Sequence, residues 1–299
     1  MNYAIVVDSS CGLTKEEAKK LGWYYLPLHI SIDGKEFRDG IDVDSSTLFN
    51  FYNLKSDVKT SAFNIGEAEQ LFNELSKNYE KIVVYPISKH LSGAYQQIKT
   101  LANDFPKVVV IESIQVLNMI TLECLWFERE MKNNSSKFEE YISWIESGGL
   151  NKSATLIPKY NQFLVKGGRL HSSAAVVARM LKIVPIIKWE KGMLVKESLG
   201  RVFSKATLKY IGEKSKSFKP KHKGQLLTFY LHSNASEEDK KAYISEFRNK
   251  FNQDPIVDYI APVVSIHTGP EAFACLIFEV DPELKKYIFE KMELIGKKW

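Results

Sequence analysis

Cysteine is scarce: Cys11, Cys124 and Cys275 stand far apart, odd in number and with no CxxC pair. That excludes a disulfide framework and a thiolate zinc site, and fits a reducing compartment. Phosphate-binding glycine loops are missing as well. No GxGxxG follows the first apolar run and no GxxxxGK[ST] occurs, so nothing marks the chain as binding ATP or NAD by itself. Ser92 has no GxSxG elbow around it, which counts against a serine hydrolase. No apolar run approaches the ~20 residues of a membrane span, and the run at residues 4–7 is too short for a signal-peptide core. A soluble, cytoplasmic protein without metal or cofactor is expected. Lys and Arg number 41 against 36 Asp and Glu, dispersed apart from a basic run at 214–223. Nucleic acid is therefore not an expected partner. The run reads as a solvated helix end and loop, with transient contact to a membrane surface as its furthest use.

Apolar material is plentiful: 44% of the residues are hydrophobic and 12% aromatic, enough for sizeable cores. The stretch that organises the chain is 81–96. It opens with the continuous apolar run Ile82 to Ile87, of the kind buried on both faces in a parallel sheet. After a polar turn a helical pattern begins at Ser92-Gly93, with Leu91, Tyr95, Ile98 and Leu101 on one face. A strand feeding a helix in this way aims unpaired N–H groups and a partial positive charge at one spot, a natural anion site. Spacing alone leaves Ser92 open as an anion donor or as a plain helix cap.

Further strands are expected over 4–7, 24–32 and 107–111, with a hairpin at Asp33-Gly34. Helices are expected from Thr14, whose Glu17 makes a capping box, from about 66 to 77, and from about 114 to 131. Lys59-Thr60-Ser61 reads as a polar loop. This alternation predicts a doubly wound parallel sheet in an α/β domain over residues 1–150, with ligands at the carboxyl ends of its strands. Beyond Gly148-Gly149 the pattern changes. Helices are expected over 172–181, 204–218 and 237–251, and a hairpin at Lys191-Gly192. Long strands over 256–266 and 272–280 are expected to join through His267-Thr268-Gly269-Pro270. Locally paired strands predict an α+β domain with a mixed, mostly antiparallel sheet over 151–299.

Five polar clusters interrupt these elements: Asp8-Ser9-Ser10, Thr60-Ser61, Ser92-Gly93, Gly167-Gly168-Arg169 and His267-Thr268-Gly269. Each has an ordinary account as a cap, turn or loop. Their combination, with Leu26-Pro27-Leu28, Phe37-Arg38-Asp39-Gly40-Ile41 and Leu91-Ser92-Gly93-Ala94-Tyr95-Gln96, resembles the DegV family over almost the whole chain. The resemblance implies a DegV-like fold that buries a long-chain fatty acid, such as palmitate, stearate or oleate, between or beneath two domains. It also implies that the chain performs no chemistry alone. It would be the acyl-binding subunit of a two-component fatty acid kinase, whose separate ATP-binding protein converts the carboxylate to acyl phosphate for phospholipid synthesis. On this resemblance Thr60, Ser61, Ser92, Gly93, His267 and Thr268 contact the carboxylate. Asp8, Ser9, Gly168 and Arg169 support them, and Arg201 faces the kinase.

The chain departs from the family pattern at Ala62-Phe63-Asn64, Ala94, Glu112-Ser113, Leu170-His171 and Glu271. Phe63 and His171 are expected to reshape the pocket or its entrance. Two other readings compete: a hydrolase of acyl esters with Ser92 as nucleophile, His267 as base and Asp8 as orienting acid, and a binding module for a small phosphate ligand.

Overall fold

The computed structural model describes residues 1–169, 183–222 and 224–297. The helix expected over 172–181, and the departures Leu170 and His171, lie outside the described residues.

The first strand, β1 (Tyr3–Asp8), is buried along nearly its whole length, as an interior parallel strand must be. Helix α1 (Lys15–Lys20) carries the expected capping box. The Thr14 hydroxyl accepts from the Glu17 N–H at 3.2 Å, and the Glu17 carboxylate accepts from the Thr14 N–H at 2.8 Å. Strand β2 (Tyr24–Leu26) lies parallel beside β1, and there the chain leaves the sheet. The single strand expected over 24–32 is two strands in two sheets, because Pro27 has no N–H with which to continue the ladder.

Strands β3 (His29–Ile32) and β4 (Lys35–Arg38) form the hairpin at Asp33-Gly34, both at positive φ. After the short helix α2 (Leu48–Phe51), β5 (Val58–Ser61) pairs with the other edge of β3. Thr60 and Ser61 thus stand on an edge strand of a three-stranded antiparallel sheet rather than in a loop. Helix α3 (Ile65–Asn78) returns the chain to β6 (Lys81–Tyr85), parallel to β1 on the side away from β2. With α4 (Ala94–Leu101) and β7 (Val108–Val110) the parallel order becomes β2-β1-β6-β7. The order reverses at β1, so the crevice beyond the ends of β1 and β6 is a topological switch point. Helices α5 (Asn118–Asn133) and α6 (Phe138–Glu146) follow.

The second half begins with β8 (Lys152–Ile157) and α7 (Asn161–Gly167). Strands β9 (Val184–Glu190) and β10 (Met193–Gly200) form the hairpin at Lys191-Gly192, and α8 (Phe203–Ser217) follows. Then come β11 (Gln225–His232), α9 (Glu237–Phe251), β12 (Ile256–Tyr259), α10 (Pro262–Thr268), β13 (Phe273–Val280) and α11 (Pro282–Leu294). The strand expected over 256–266 stops at Tyr259. Pro262, lacking an N–H, opens α10 at a position where none is needed. His267 therefore sits in the last turn of a helix, not in a strand connection. The sheet runs β10-β9-β8-β13-β11-β12, antiparallel except between β11 and β12. An α/β half followed by an α+β half with a mixed sheet is the expected architecture.

Strand β13 explains how the halves share a core. All eight of its side chains are buried, and alternation sends them to opposite faces. Phe273, Cys275 and Ile277 pack beneath α8 and α9 with Tyr210 and Phe247. Ala274, Leu276 and Phe278 join a cluster that also holds Val6, Val84 and Leu117 of the first half. No helix among the described residues is long and apolar enough to cross a membrane.

The passage between the halves is fixed by a buried ion pair. Glu123 on α5, wholly enclosed, meets Lys152 Nζ at 2.7 Å and accepts from the Tyr85 hydroxyl. A side chain at Gly149 would strike the Glu123 carboxylate, so the connecting turn needs glycine there. Removing one partner leaves the other charge uncompensated, which costs about 3–5 kcal/mol. Lys152→Met is accordingly expected to lower stability by about that amount in urea unfolding, and Glu123→Gln with Lys152→Met together to cost less than the lysine change alone.

Candidate functional site

Thr60 and His267 are 207 residues apart and meet across the halves, Thr60 Oγ1 lying 3.1 Å from His267 Nε2. The meeting follows from the two departures from expectation. Thr60 is held in register opposite Ile30 on β3, and His267 is carried to it by α10. Arg169 joins them from just beyond the cap of α7. Its Nη1 donates to the Gly167 carbonyl at 2.6 Å and its Nη2 to Thr60 Oγ1 at 3.4 Å.

The two glycines before Arg169 have different duties. Gly168 caps α7 in the left-handed region at φ 65° with open space around it, so it serves the turn. Gly167 lies against the histidine, where a Cβ would come within 2.6 Å of His267 Nδ1. Only a bare backbone fits there. Burial, reinforced by the neighbouring Arg169 charge, holds the imidazole pKa down at about 3. The histidine is therefore neutral at physiological pH. In the tautomer protonated on Nε2, it and Arg169 both donate to Thr60, which leaves the Thr60 proton to donate elsewhere.

Ser92 approaches from the switch point of the parallel sheet. Its Oγ accepts from the Ala94 N–H at 3.2 Å at the start of α4, whose cap residue is Gly93. The hydroxyl proton remains free to donate, so the alternatives of cap and donor are compatible. Thr60, Ser61, Ser92, Gly93, Arg169, His267 and Thr268 all line one cavity of about 370 Å³. The remainder of its wall is largely apolar. Leu28, Ile87, Leu91, Val116 and Met119 come from the first half, and Leu156, Trp189, Leu194, Val263 and Leu276 from the second. No Asp or Glu lines it among the described residues. Thr268 is buried, its hydroxyl 3.5 Å from the Ser265 carbonyl.

Asp8 and Ser9 act one step back. The Asp8 carboxylate accepts from the Ile87 N–H at 2.6 Å and from the Ser10 N–H and hydroxyl, and Ser9 Oγ accepts from the Leu28 N–H at 3.0 Å. Each fixes the backbone of a residue that lines the cavity. Burial lifts the Asp8 pKa to about 6 against those hydrogen bonds. With Asp8 so engaged, with no hydrogen bond between Ser92 and His267 and with no acid beside the imidazole among the described residues, the parts of a hydrolytic triad are not assembled. Arg201 stands elsewhere. It is exposed, in a surface depression of about 410 Å³ lined also by Lys205 and Lys209 of α8.

Phe63, expected to reshape the pocket or its entrance, is buried in the core and is not among the residues that line the cavity. Residues absent from the sequence-based site are Gly167, Trp189, Thr155 and Asp39. Asp39 stood within the Phe37–Ile41 motif, but nothing in a sequence reveals that it is wholly buried. Its Oδ2 accepts from the Val263 N–H at 3.3 Å near the start of α10, and its Oδ1 has no hydrogen-bond partner.

The fold and the cavity define a class: an α/β and α+β protein whose halves enclose an apolar space with one wall of neutral and cationic hydrogen-bond donors. The chain belongs to the DegV family. The family model described as "Uncharacterised protein, DegV family" matches residues 2–280. A DegV domain-containing protein of Mycoplasmopsis pulmonis is 37% identical over 97% of this chain and 99% of its own. Among solved structures, DegV of Bacillus subtilis, described as a fatty acid binding protein, superposes with a TM-score of 0.79 over 94% of this chain and 100% of that one, at 23% identity. A stearic acid-binding protein of Eubacterium ventriosum gives 0.79 over 96% and 99%, at 22% identity.

Burial raises the Asp39 pKa from 3.8 to about 8, with Asp8 adding to the rise and Ser9 and the Val263 N–H opposing it. Above the unfolded value the folded protein holds a proton that the unfolded chain has released. The stability Asp39 contributes is thus complete below about pH 4 and lost as pH rises through about 8. Asp39→Asn is expected to melt higher than wild type at pH 8, with the difference shrinking toward pH 4. Identical slopes for the two proteins in thermal melts across that range would show that Asp39 does not titrate so.

Proposed function

We propose that the chain binds a long-chain fatty acid in the cavity and presents its carboxylate to a separate ATP-dependent kinase protein in the cytoplasm. The observation that carries this reading is the Thr60–His267–Arg169 cluster set in the wall of an otherwise apolar cavity. Such a site suits a ligand with a long apolar body and one anionic head. Burying about 15 methylenes gains roughly 12 kcal/mol at about 0.8 per CH₂. Association and ordering cost about 4–15 kcal/mol, so the tail alone gives useful but limited affinity. A carboxylate withdrawn from water must regain its hydrogen bonds. Thr60, Ser92 and Arg169 are donors that replace them, with His267 orienting Thr60 and Ser61, Gly93 and Thr268 completing the wall. The description of the Bacillus and Eubacterium relatives as fatty-acid binders agrees with this ligand class.

In the kinase step a carboxylate oxygen attacks the terminal phosphorus of ATP. The O–P bond of the acyl phosphate forms as the bond to ADP breaks, and ADP leaves with the electron pair. The nucleotide and its metal belong to the partner, and the product feeds phospholipid synthesis. We assign residues 1–150 and 151–299 to two domains, the first carrying Thr60 and Ser92 and the second Arg169, His267 and Arg201. Arg201, with Lys205 and Lys209 beside it, supplies a basic surface for the partner. Palmitate, stearate and oleate all have the required chemistry.

Native mass spectrometry of the purified protein, against its denatured mass and a solvent extract, tests the ligand. A stoichiometric adduct released as a long-chain fatty acid is expected, and Thr60→Val and Ser92→Ala should each weaken binding about tenfold, the worth of one hydrogen bond to a charged group. An empty protein that refuses added palmitate, stearate and oleate, or purified protein that hydrolyses acyl esters through Ser92, would overturn the reading. For the partner surface, Arg201→Ala is expected to retain bound lipid and to lose most acyl phosphate formation with the kinase. A rate equal to wild type would remove Arg201 from that role.

A further inference from the structure

The donor wall has two sides. Thr60, Arg169 and His267 line the apolar cavity and also a second, smaller depression of about 170 Å³. Tyr52, Lys166 and Gly167 complete most of the second space, and Lys59 also lines it. In contrast to the cavity, its surroundings are mainly polar, and no acid lines it among the described residues.

Two of the cations there also lack a carboxylate partner among the described residues. Lys166, in the last turn of α7, donates to the carbonyls of Leu54 and Ser56, and Arg169 donates to the Gly167 carbonyl and Thr60. Neither has a carboxylate partner among the described residues, although the chain forms many ion pairs elsewhere, Lys159 with Glu271 among them. Two cations held by neutral acceptors beside a polar hollow are arranged for an anion from outside the chain.

A carboxylate that enters the wall from the cavity therefore has its tail on one side and this hollow on the other. We propose that the hollow is the phosphoryl subsite of the same ligand: it receives the phosphoryl group of a bound acyl phosphate, and Lys166 distinguishes the acyl phosphate from the fatty acid. The inference rests on the lipid reading above. A phosphoryl monoester carries about −1.5 to −2 charge near neutral pH and offers three acceptor oxygens, more than Thr60 and Ser92 alone can satisfy. Lys166 and Arg169 supply the balance, while the fatty acid leaves Lys166 untouched.

The probes are palmitate and the hydrolysis-resistant β-keto phosphonate analogue of palmitoyl phosphate, titrated into delipidated protein. Lys166→Met is expected to weaken the phosphonate tenfold or more while palmitate stays within about twofold, as loss of one charge-assisted hydrogen bond predicts. Lys166→Arg should restore the phosphonate, which separates charge from any loss of folding. An unchanged phosphonate affinity in Lys166→Met overturns the proposal, and so does an equal loss for palmitate. Inorganic phosphate, titrated against palmitate-loaded protein, separates a second source. Lys166-dependent phosphate binding without a Lys166 effect on the phosphonate would make the hollow a free-phosphate site and overturn the assignment. Wild-type protein that binds neither lipid would instead break the lipid reading itself.

Discussion

The hydrogen bond between Thr60 and His267 is the constraint around which the molecule is arranged. It links an edge strand of the first half to a helix of the second, and it lies at the boundary of an apolar cavity. Polar groups placed there lose their water and must find partners within the protein or in a ligand. Thr60 and His267 satisfy one another in part, and the exposed Arg169 adds a charge whose hydrogen-bond partners, the Gly167 carbonyl and Thr60, are neutral. Holding the imidazole neutral is a consequence of the same enclosure. A neutral histidine can orient a hydroxyl without placing a second full charge beside Arg169, which the low-dielectric setting would penalise.

Much of the remaining structure serves to hold those two side chains at that distance. On the strand side, Asp8 and Ser9 clamp the backbone of Ile87 and Leu28 at the switch point. On the helix side, Asp39 meets the N–H of Val263 in the first turn of α10, the helix that ends at His267. The β9–β10 hairpin closes the arrangement. The Ser88 hydroxyl donates to the Gly192 carbonyl at 2.8 Å and Trp189 Nε1 to the Ile114 carbonyl at 3.0 Å. These bonds dock the second half onto loops at the carboxyl ends of β6 and β7.

The parallel sheet, the hairpins of the other two sheets and the order of the polar clusters were legible because each rests on a local signal: an apolar run, Asp33-Gly34, the Thr14 and Glu17 box. The two elements that carry the site's central bond were not. Val58-Lys59-Thr60-Ser61 is short and polar, and becomes a strand only because β3 offers an edge to it. Residues 256–266 read as one β-rich run, and a single proline divides it into strand and helix. Burial of Asp39 and the contact between Gly167 and His267 are wholly tertiary facts, since each partner lies far away in the sequence. Candidate residues could be named by motif, but their geometry could not.

The departures from the family pattern show what the scaffold tolerates. Asn64 caps α3 by accepting from the Glu67 N–H at 3.2 Å. Glu271 is the more demanding case. It occupies a position at φ 55°, where glycine is the unstrained choice, and its carboxylate meets Lys159 Nζ at 2.6 Å and the Tyr160 hydroxyl. The strain of one left-handed residue is of order 1 kcal/mol, and a half-buried ion pair with a further hydrogen bond is of comparable size. That balance holds the turn after α10, and with it the end of the helix that bears His267. In this chain the turn after α10, and with it one end of the donor wall, is thus held by a residue that departs from the family pattern.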